Sequence, residues 1–228
     1  MTISSRTRAE TGTVWRARRA AGVSTILPDG CMDLIWNGRE VLVAGPDTAP
    51  YRHRSQRPET LVGLRLPPGT VPLVLGVPAE VLRDRRVTLD DVWTPERARR
   101  WGDRLAEADD PAVVLRELAS TRTWEAPTWL APAAAALGAG HRIDECADRL
   151  SMTPRTLHRQ SSRYFGYGPK VLQRILRMRA ALDGLAAGGD PAGVASGHGY
   201  ADQSHLHREV VSLTGRTPAS FRSPSGTR

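Results

Sequence analysis

Lysine is almost missing from this chain: of 32 basic residues only Lys170 is not arginine. Its positive surface is therefore guanidinium, the group that grips phosphate and guanine edges in bidentate fashion. Cysteine is nearly as scarce. Cys31 and Cys146 are the two present, which excludes a disulfide scaffold and any zinc site built from cysteine alone. No apolar run approaches the ~18 residues needed to cross a bilayer, because Arg, Asp or Glu interrupts each one. The first 19 residues, MTISSRTRAETGTVWRARR, lack the apolar core of a secretory signal. The expectation is a cytoplasmic protein with reduced thiols and no membrane partner. A glycine-rich phosphate loop is also missing, as is any Ser-His-Asp or Cys-His signature, so neither a cofactor nor a catalytic residue is expected and the chain reads as no enzyme.

What is present suits a globular protein. The 228 residues carry a net charge of +8, with 40% hydrophobic and 25% charged side chains and a mean hydropathy of −0.37, enough for a real core and long enough for two domains. The charge is concentrated locally. From Thr153 to Arg179 stand Arg155, Arg159, Arg163, Lys170, Arg174, Arg177 and Arg179, with no anion among them. A solvated helix face normally mixes signs, since like charges at i and i+4 repel, and Arg155, Arg159 and Arg163 stand at that spacing. Such a run reads as a phosphate-binding face, and Arg177 is expected to hold DNA of any sequence.

The N-terminal half reads as α+β, a small half-barrel-like sheet with helices. In CMDLIW, alternation sets Cys31, Asp33 and Ile35 against Met32, Leu34 and Trp36. Asn37-Gly38 is the expected hairpin turn into a strand from Glu40 to Ala44, and LVGLRL at 61–66 is a third strand ended by Pro67-Pro68-Gly69. Helices follow, opened by Thr94-Pro95 and Asp110-Pro111. Residues 1–122 form this domain, 123–127 the linker, and 128–224 an all-α domain.

The helical half contains a duplication. Ile143, Cys146, Ala147 and Leu150 define a short amphipathic helix; Thr153 caps a second with Pro154 at its first position, and Gly166 stops it. In the second copy Asp190 and Pro191 open a helix, Gly199-Tyr200 makes the turn and Asp202 caps the next. Ala147 pairs with Ala195, Leu157 with Leu206 and Arg159 with Arg208, at offsets of 48, 49 and 49. Each copy is a helix-turn-helix, whose second helix presents its N-terminal residues to the major groove. With Leu157 inward, Arg155, Thr156, His158, Arg159 and Arg163 face double-stranded DNA. With Leu206 inward, Gln203, Ser204, His205 and Arg208 do so. A connecting helix from Pro169 to Ala187 spans about 28 Å at 1.5 Å per residue, suited to successive turns of the groove.

The run from Ile143 to Arg222 closely resembles the DNA-binding domain of the AraC/XylS family of bacterial transcription regulators. Gly199, Tyr200, Asp202, Gln203, Leu206, Arg208, Thr214, Gly215, Pro218, Phe221 and Arg222 match that family's second-unit signature. Ser161 and Val210 depart from it, standing where the family usually has Phe. The N-terminal half, with LPDGCMDLIW, GLRLPPG and LDDVW, resembles an uncharacterised sensor domain attached to some of these regulators. The resemblance implies a transcription regulator controlled by a small-molecule effector, with a homodimer and, for an activator, RNA polymerase as further partners. An effector-independent regulator whose N-terminal domain only dimerises, and a cysteine-based sensor or enzyme in that half, are the alternatives. Cys31 reads either as a core thiol or a sensor, and Asp33 as a solvated residue or the polar anchor of a pocket. Trp15, Trp36, Trp93 and Trp101 are candidate pocket walls or core. His205 and His207 lie about 200° apart on a helix and share no metal.

Overall fold

The computed structural model describes residues 2–9, 12–121 and 125–222. Among the described residues the N-terminal half carries eight strands, the last of them after a short helix: β1 (Thr2–Ala9), β2 (Gly12–Arg19), β3 (Gly22–Ile26), β4 (Met32–Trp36), β5 (Val41–Ala44), β6 (Tyr51–Ser55), β7 (Glu59–Leu66) and β8 (Arg86–Thr88). Six form an antiparallel sheet in the order β1-β2-β7-β4-β5-β8, and β3 pairs with β6 in a separate two-stranded sheet. Strand alternation then divides the large sheet into two unlike faces. Met32, Leu34 and Trp36 turn into a core with Val43, Val62 and Leu64, roofed by α1 (Val71–Leu75), α2 (Pro95–Glu107) and α3 (Pro111–Ser120). Asp33, Ile35, Leu42, Leu61 and Arg65 turn the other way, toward Ile26 of β3 and Tyr51 and His53 of β6, and line a cavity.

The expected hairpin after Trp36 is shifted by one residue. Asn37 bonds Glu40 across the turn, so Gly38 and Arg39 are its central pair, and Gly38 takes the positive φ of 88° that the first central position demands. The Asn37 side chain instead accepts the amides of Arg39 and Glu40 at 2.9 Å each. Trp36, Trp93 and Trp101 lie in the core, with the Trp93 indole donating to the Leu75 carbonyl at 2.9 Å. Of the four candidate pocket tryptophans, Trp15 is the one lining the cavity.

From Leu130 onward the chain is helical: α4 (Leu130–Gly138), α5 (Ile143–Arg149), α6 (Pro154–Phe165), α7 (Pro169–Ala186), α8 (Pro191–Gly197) and α9 (Gln203–Thr214). Thr153, Asp190 and Asp202 accept backbone amides as N-caps, while Gly166 and Gly215 end α6 and α9 in the left-handed region. Ala147 and Ala195, like Leu157 and Leu206, are buried in one core, whereas Arg159 and Arg208 are exposed. Ser161 and Val210 are fully buried on the inner faces of α6 and α9.

This second core abuts the first domain. Leu27 packs against it, Gly30 leaves only 3.1–3.2 Å between a would-be Cβ and Leu176 and Leu172 of α7, and Gly166 seats Pro46 at 2.3 Å on the same measure. Gly69 meets Leu130 and Phe165 in the same way. Any side chain at Gly166, which also has φ 86°, would both strain the helix stop and push Pro46 away. The linker expected at 123–127 begins outside the described residues. Among the described residues no helix is long and apolar enough to cross a membrane.

Candidate nucleic-acid interface and cavity

On α6, Arg155, His158, Arg159 and Arg163 are exposed; on α9, Gln203, Ser204 and Arg208 are exposed. Leu157 and Leu206 anchor the opposite faces. Two candidates are tied to the protein. The Thr156 hydroxyl accepts from Thr153 at 3.0 Å, within the cap. His205 is half-buried, accepting the Ala201 amide at 3.3 Å while its ring meets Tyr200 edge-on at 5.2 Å. The His158 ring leans on Gly168, whose missing Cβ leaves it room. The side chains of Arg155, Arg159, Arg163, Lys170, Gln203, Ser204 and Arg208 make no hydrogen bond or ion pair with any described residue. A groove of about 740 Å³ lies between the two units, with Arg142, Lys170, Arg177 and His198 on its walls against Asp144.

The cation run is not uniform. Glu209 of α9, 8% exposed, takes Arg177 Nη2 at 2.5 Å and Arg174 Nε at 3.2 Å, and Arg177 lies over the Tyr200 ring at 4.5 Å. Burial works to raise the Glu209 carboxyl, but the Arg177 hydrogen bonds and charge, then those of Arg174, outweigh it and hold it below the ordinary glutamate range. Arg177 is thus a bolt between α7 and α9. Its counter-ion is supplied from 32 residues further along the chain.

In the N-terminal domain the cavity has a volume of about 420 Å³. Asp33 anchors one wall, accepting Trp15 Nε1 at 3.1 Å and Arg65 Nη2 at 3.0 Å; Asp29 takes the same Arg65 nitrogen at 2.9 Å. Arg86 grips Asp47 through two bonds of 2.8 and 2.6 Å and covers the Tyr51 ring at 4.0 Å. His53 pairs with Glu59 at 2.9 Å. Burial, then the nearby Asp29, push the Cys31 thiol up to about 12, so it stays protonated at neutral pH and lacks the thiolate a reactive sensor needs. Strand alternation leaves Asp33 open between a solvated residue and a pocket anchor, and the structure places it in the cavity wall. Arg19, Asp47, Tyr51, His53, Glu59, Arg65 and Arg86 were not singled out, although the same alternation in LVGLRL points Arg65 to the Asp33 side.

The back wall of the cavity is also the seam between domains. Leu27, Asp29, Cys31, Ala44, Gly45 and Asp47 line it, and their neighbours Gly30 and Pro46 touch α7 and the end of α6. Tyr167, one residue past the α6 stop, is 1% exposed and its hydroxyl has no hydrogen-bond partner among the described residues. Burial first, then the negative charge of Asp29, raises its pKa.

Residues 146–223 match the family described as helix-turn-helix domain, and residues 11–88 match a domain of unknown function (DUF6597). These findings and the fold define the class: a DNA-binding transcription regulator with an AraC-type helix-turn-helix domain. Among solved structures the chain is similar to ToxT from Vibrio cholerae, at 8% identity over 93% of this chain and 98% of that one, with a TM-score of 0.50. It is equally similar to wild-type ToxT of strain SCE256 bound to an unsaturated fatty acid, at 9% identity over 95% and 96%, TM-score 0.51. At such identities the likeness is one of fold. A comparison with curated protein sequences found no match.

Proposed function

We propose that this protein reads a specific DNA sequence with α6 and α9 and changes that reading when a small molecule occupies the N-terminal cavity. The observation that carries the first part is the repetition, 49 residues apart, of a capped helix whose first turns present free polar side chains beside a buried leucine. Arg159 and Arg208 are suited to guanine and Gln203 to adenine through paired hydrogen bonds. Arg155, Arg163 and Lys170 sit where the flanking phosphates run, with Thr156, His158, Ser204 and His205 completing the two reading surfaces. Residues 1–122 act as the sensor, 123–127 as the linker and 128–224 as the reader.

Effector control is favoured by the shared wall. A molecule in the cavity presses on the loops that carry Gly30 and Pro46, and these loops hold α7 and the end of α6. The solved ToxT structure with its bound unsaturated fatty acid is a precedent of the same fold for a ligand-holding chain.

The experiment begins with selection of binding sites from a random duplex library by the full chain. Arg159→Ala should then cost about 1–3 kcal/mol on the selected site and relax preference at one or two base pairs. An equal loss on random duplex would make Arg159 a phosphate contact instead. Failure to enrich any sequence would remove the specific reading.

A further inference from the structure

We infer that the cavity takes an organic cation, a protonated amine or quaternary ammonium on an apolar body, seated on the Trp15 ring beside Asp29 and Asp33. The inference rests on the effector reading above and names the chemistry of that ligand.

The charge pattern of the walls points to it. Arg86 is matched by Asp47 through two hydrogen bonds. Arg19 stands directly opposite Glu59 in the β2–β7 ladder, and that carboxylate, also bonded to His53, offsets its charge. What remains is Arg65, one guanidinium shared by the two carboxylates of Asp29 and Asp33. Their side chains are 18% and 13% exposed. Among the residues that line the cavity two carboxylates thus share one guanidinium, with Arg179 of α7 the further cation acting on Cys31 between them, at the wall of a partly desolvated cavity where charge interactions exceed those in bulk water. The Cys31 thiol beside them stays protonated and adds no charge.

The aromatic surface is available at the same place. Gly63 has no Cβ, and one built there would stand 2.1–2.6 Å from the Trp15 ring, so the indole rests against that strand with its N–H tied to Asp33. Tyr51, Trp93 and Trp101 each already carry a guanidinium, at 4.0, 3.6 and 4.6 Å. Among the described residues no cation stands over Trp15. An indole face next to two carboxylates that share one guanidinium is the pairing that holds ammonium groups. Ile26, Ile35, Leu42 and Leu61 line the rest of the cavity and suit an apolar body. Its volume of about 420 Å³ lies within the range that encloses small organic ligands. A carboxylate ligand would have to use Arg19, and would meet Glu59 beside it.

The test uses the full chain at neutral pH and matched probes of one body: phenylalkyl amines of two, three and four methylenes, with the corresponding alcohols and carboxylates, measured by calorimetry and thermal shift. At least one amine should bind about tenfold or more tighter than its alcohol, a difference worth ~1.4 kcal/mol, and the carboxylates should bind most weakly. In Asp29→Asn and Trp15→Leu, checked for folding by circular dichroism, the amine should lose about tenfold while the alcohol changes little. Carboxylates binding better than amines, or alcohols binding equally well, would overturn the cation assignment and leave effector binding standing. Unchanged amine affinity in both folded variants would also overturn it, since the site would lie elsewhere. Binding by none of the nine probes would overturn it together with the effector reading. The wild-type series decides the matter even where a variant fails to fold.

Discussion

Raising salt from 50 to 200 mM should weaken binding to any duplex by roughly 40- to 150-fold, the result of neutralising three or four phosphates at about 0.9 in log K per phosphate. Arg155, Arg159, Arg163 and Lys170 are the cations of the 153–179 run with no described partner. Arg174 and Arg177 are committed to Glu209, and Arg179 lies 4.0 Å from Asp183. Had all seven reached phosphate, the slope would be about −6 instead of about −2.7 to −3.6. The measurement is a fluorescence-anisotropy titration at five salt concentrations on random duplex. A flat response would remove the DNA-binding reading. Arg163→Ala should reduce the slope by about one unit, whereas Arg177→Ala should leave it unchanged.

Replacing Glu209 by Ala should destabilise the helical domain by about 1–3 kcal/mol, because it removes the acceptor of two guanidinium groups that the fold has partly withdrawn from water. Glu209→Gln should cost less, since its amide keeps the shape and one acceptor. Acidity gives an independent reading of the same contact. The folded carboxyl titrates below the ordinary glutamate range. Its stabilising contribution is therefore fully present above the unfolded pKa of about 4.3 and is lost as pH falls through the lower folded value. Urea denaturation of wild type and Glu209→Gln should be fully separated above about pH 4.3 and draw together as pH falls from there through the lower folded value. Parallel curves at all pH values would mean that the carboxylate contributes nothing through its charge.

The elements that could be read from sequence are those whose signals are local. Thr153-Pro154 and Asp202 begin their helices, Gly166 and Gly215 stop them, and the alternation of residues 31–36 divides core from cavity as its polarity implies. Strands β3 and β6 gave no such signal because they bury little, and in β2 the buried Gly12, Val14 and Ala17 fall out of strict alternation. Arg16 and Arg18 share β2 with Trp15 and Arg19, and YRHRS in β6 alternates only between half-buried and exposed residues. Their hydrophobic period is hidden where polar groups line the cavity on one side and water wets the other. Glu209 was illegible for a different reason. Its partners are 32 and 35 residues away, and no period in the chain announces a long-range ion pair.

Helices α6 and α9 are held differently. The end of α6 is wedged on Pro46 and the Ala79 carbonyl through Gly166, and Phe165 sits on Gly69, while α9 packs on α7, α8 and the short Pro218–Phe221 turn. The domains are therefore poor candidates for free exchange. A chimera joining residues 128–224 to a foreign sensor would lose the glycine-lined sockets at Gly30 and Gly69, and the Pro46 knob that fits Gly166. Such a hybrid should keep the grip of its second unit on DNA and lose the alignment of its first, unless the graft carries those sockets and Pro46 with it.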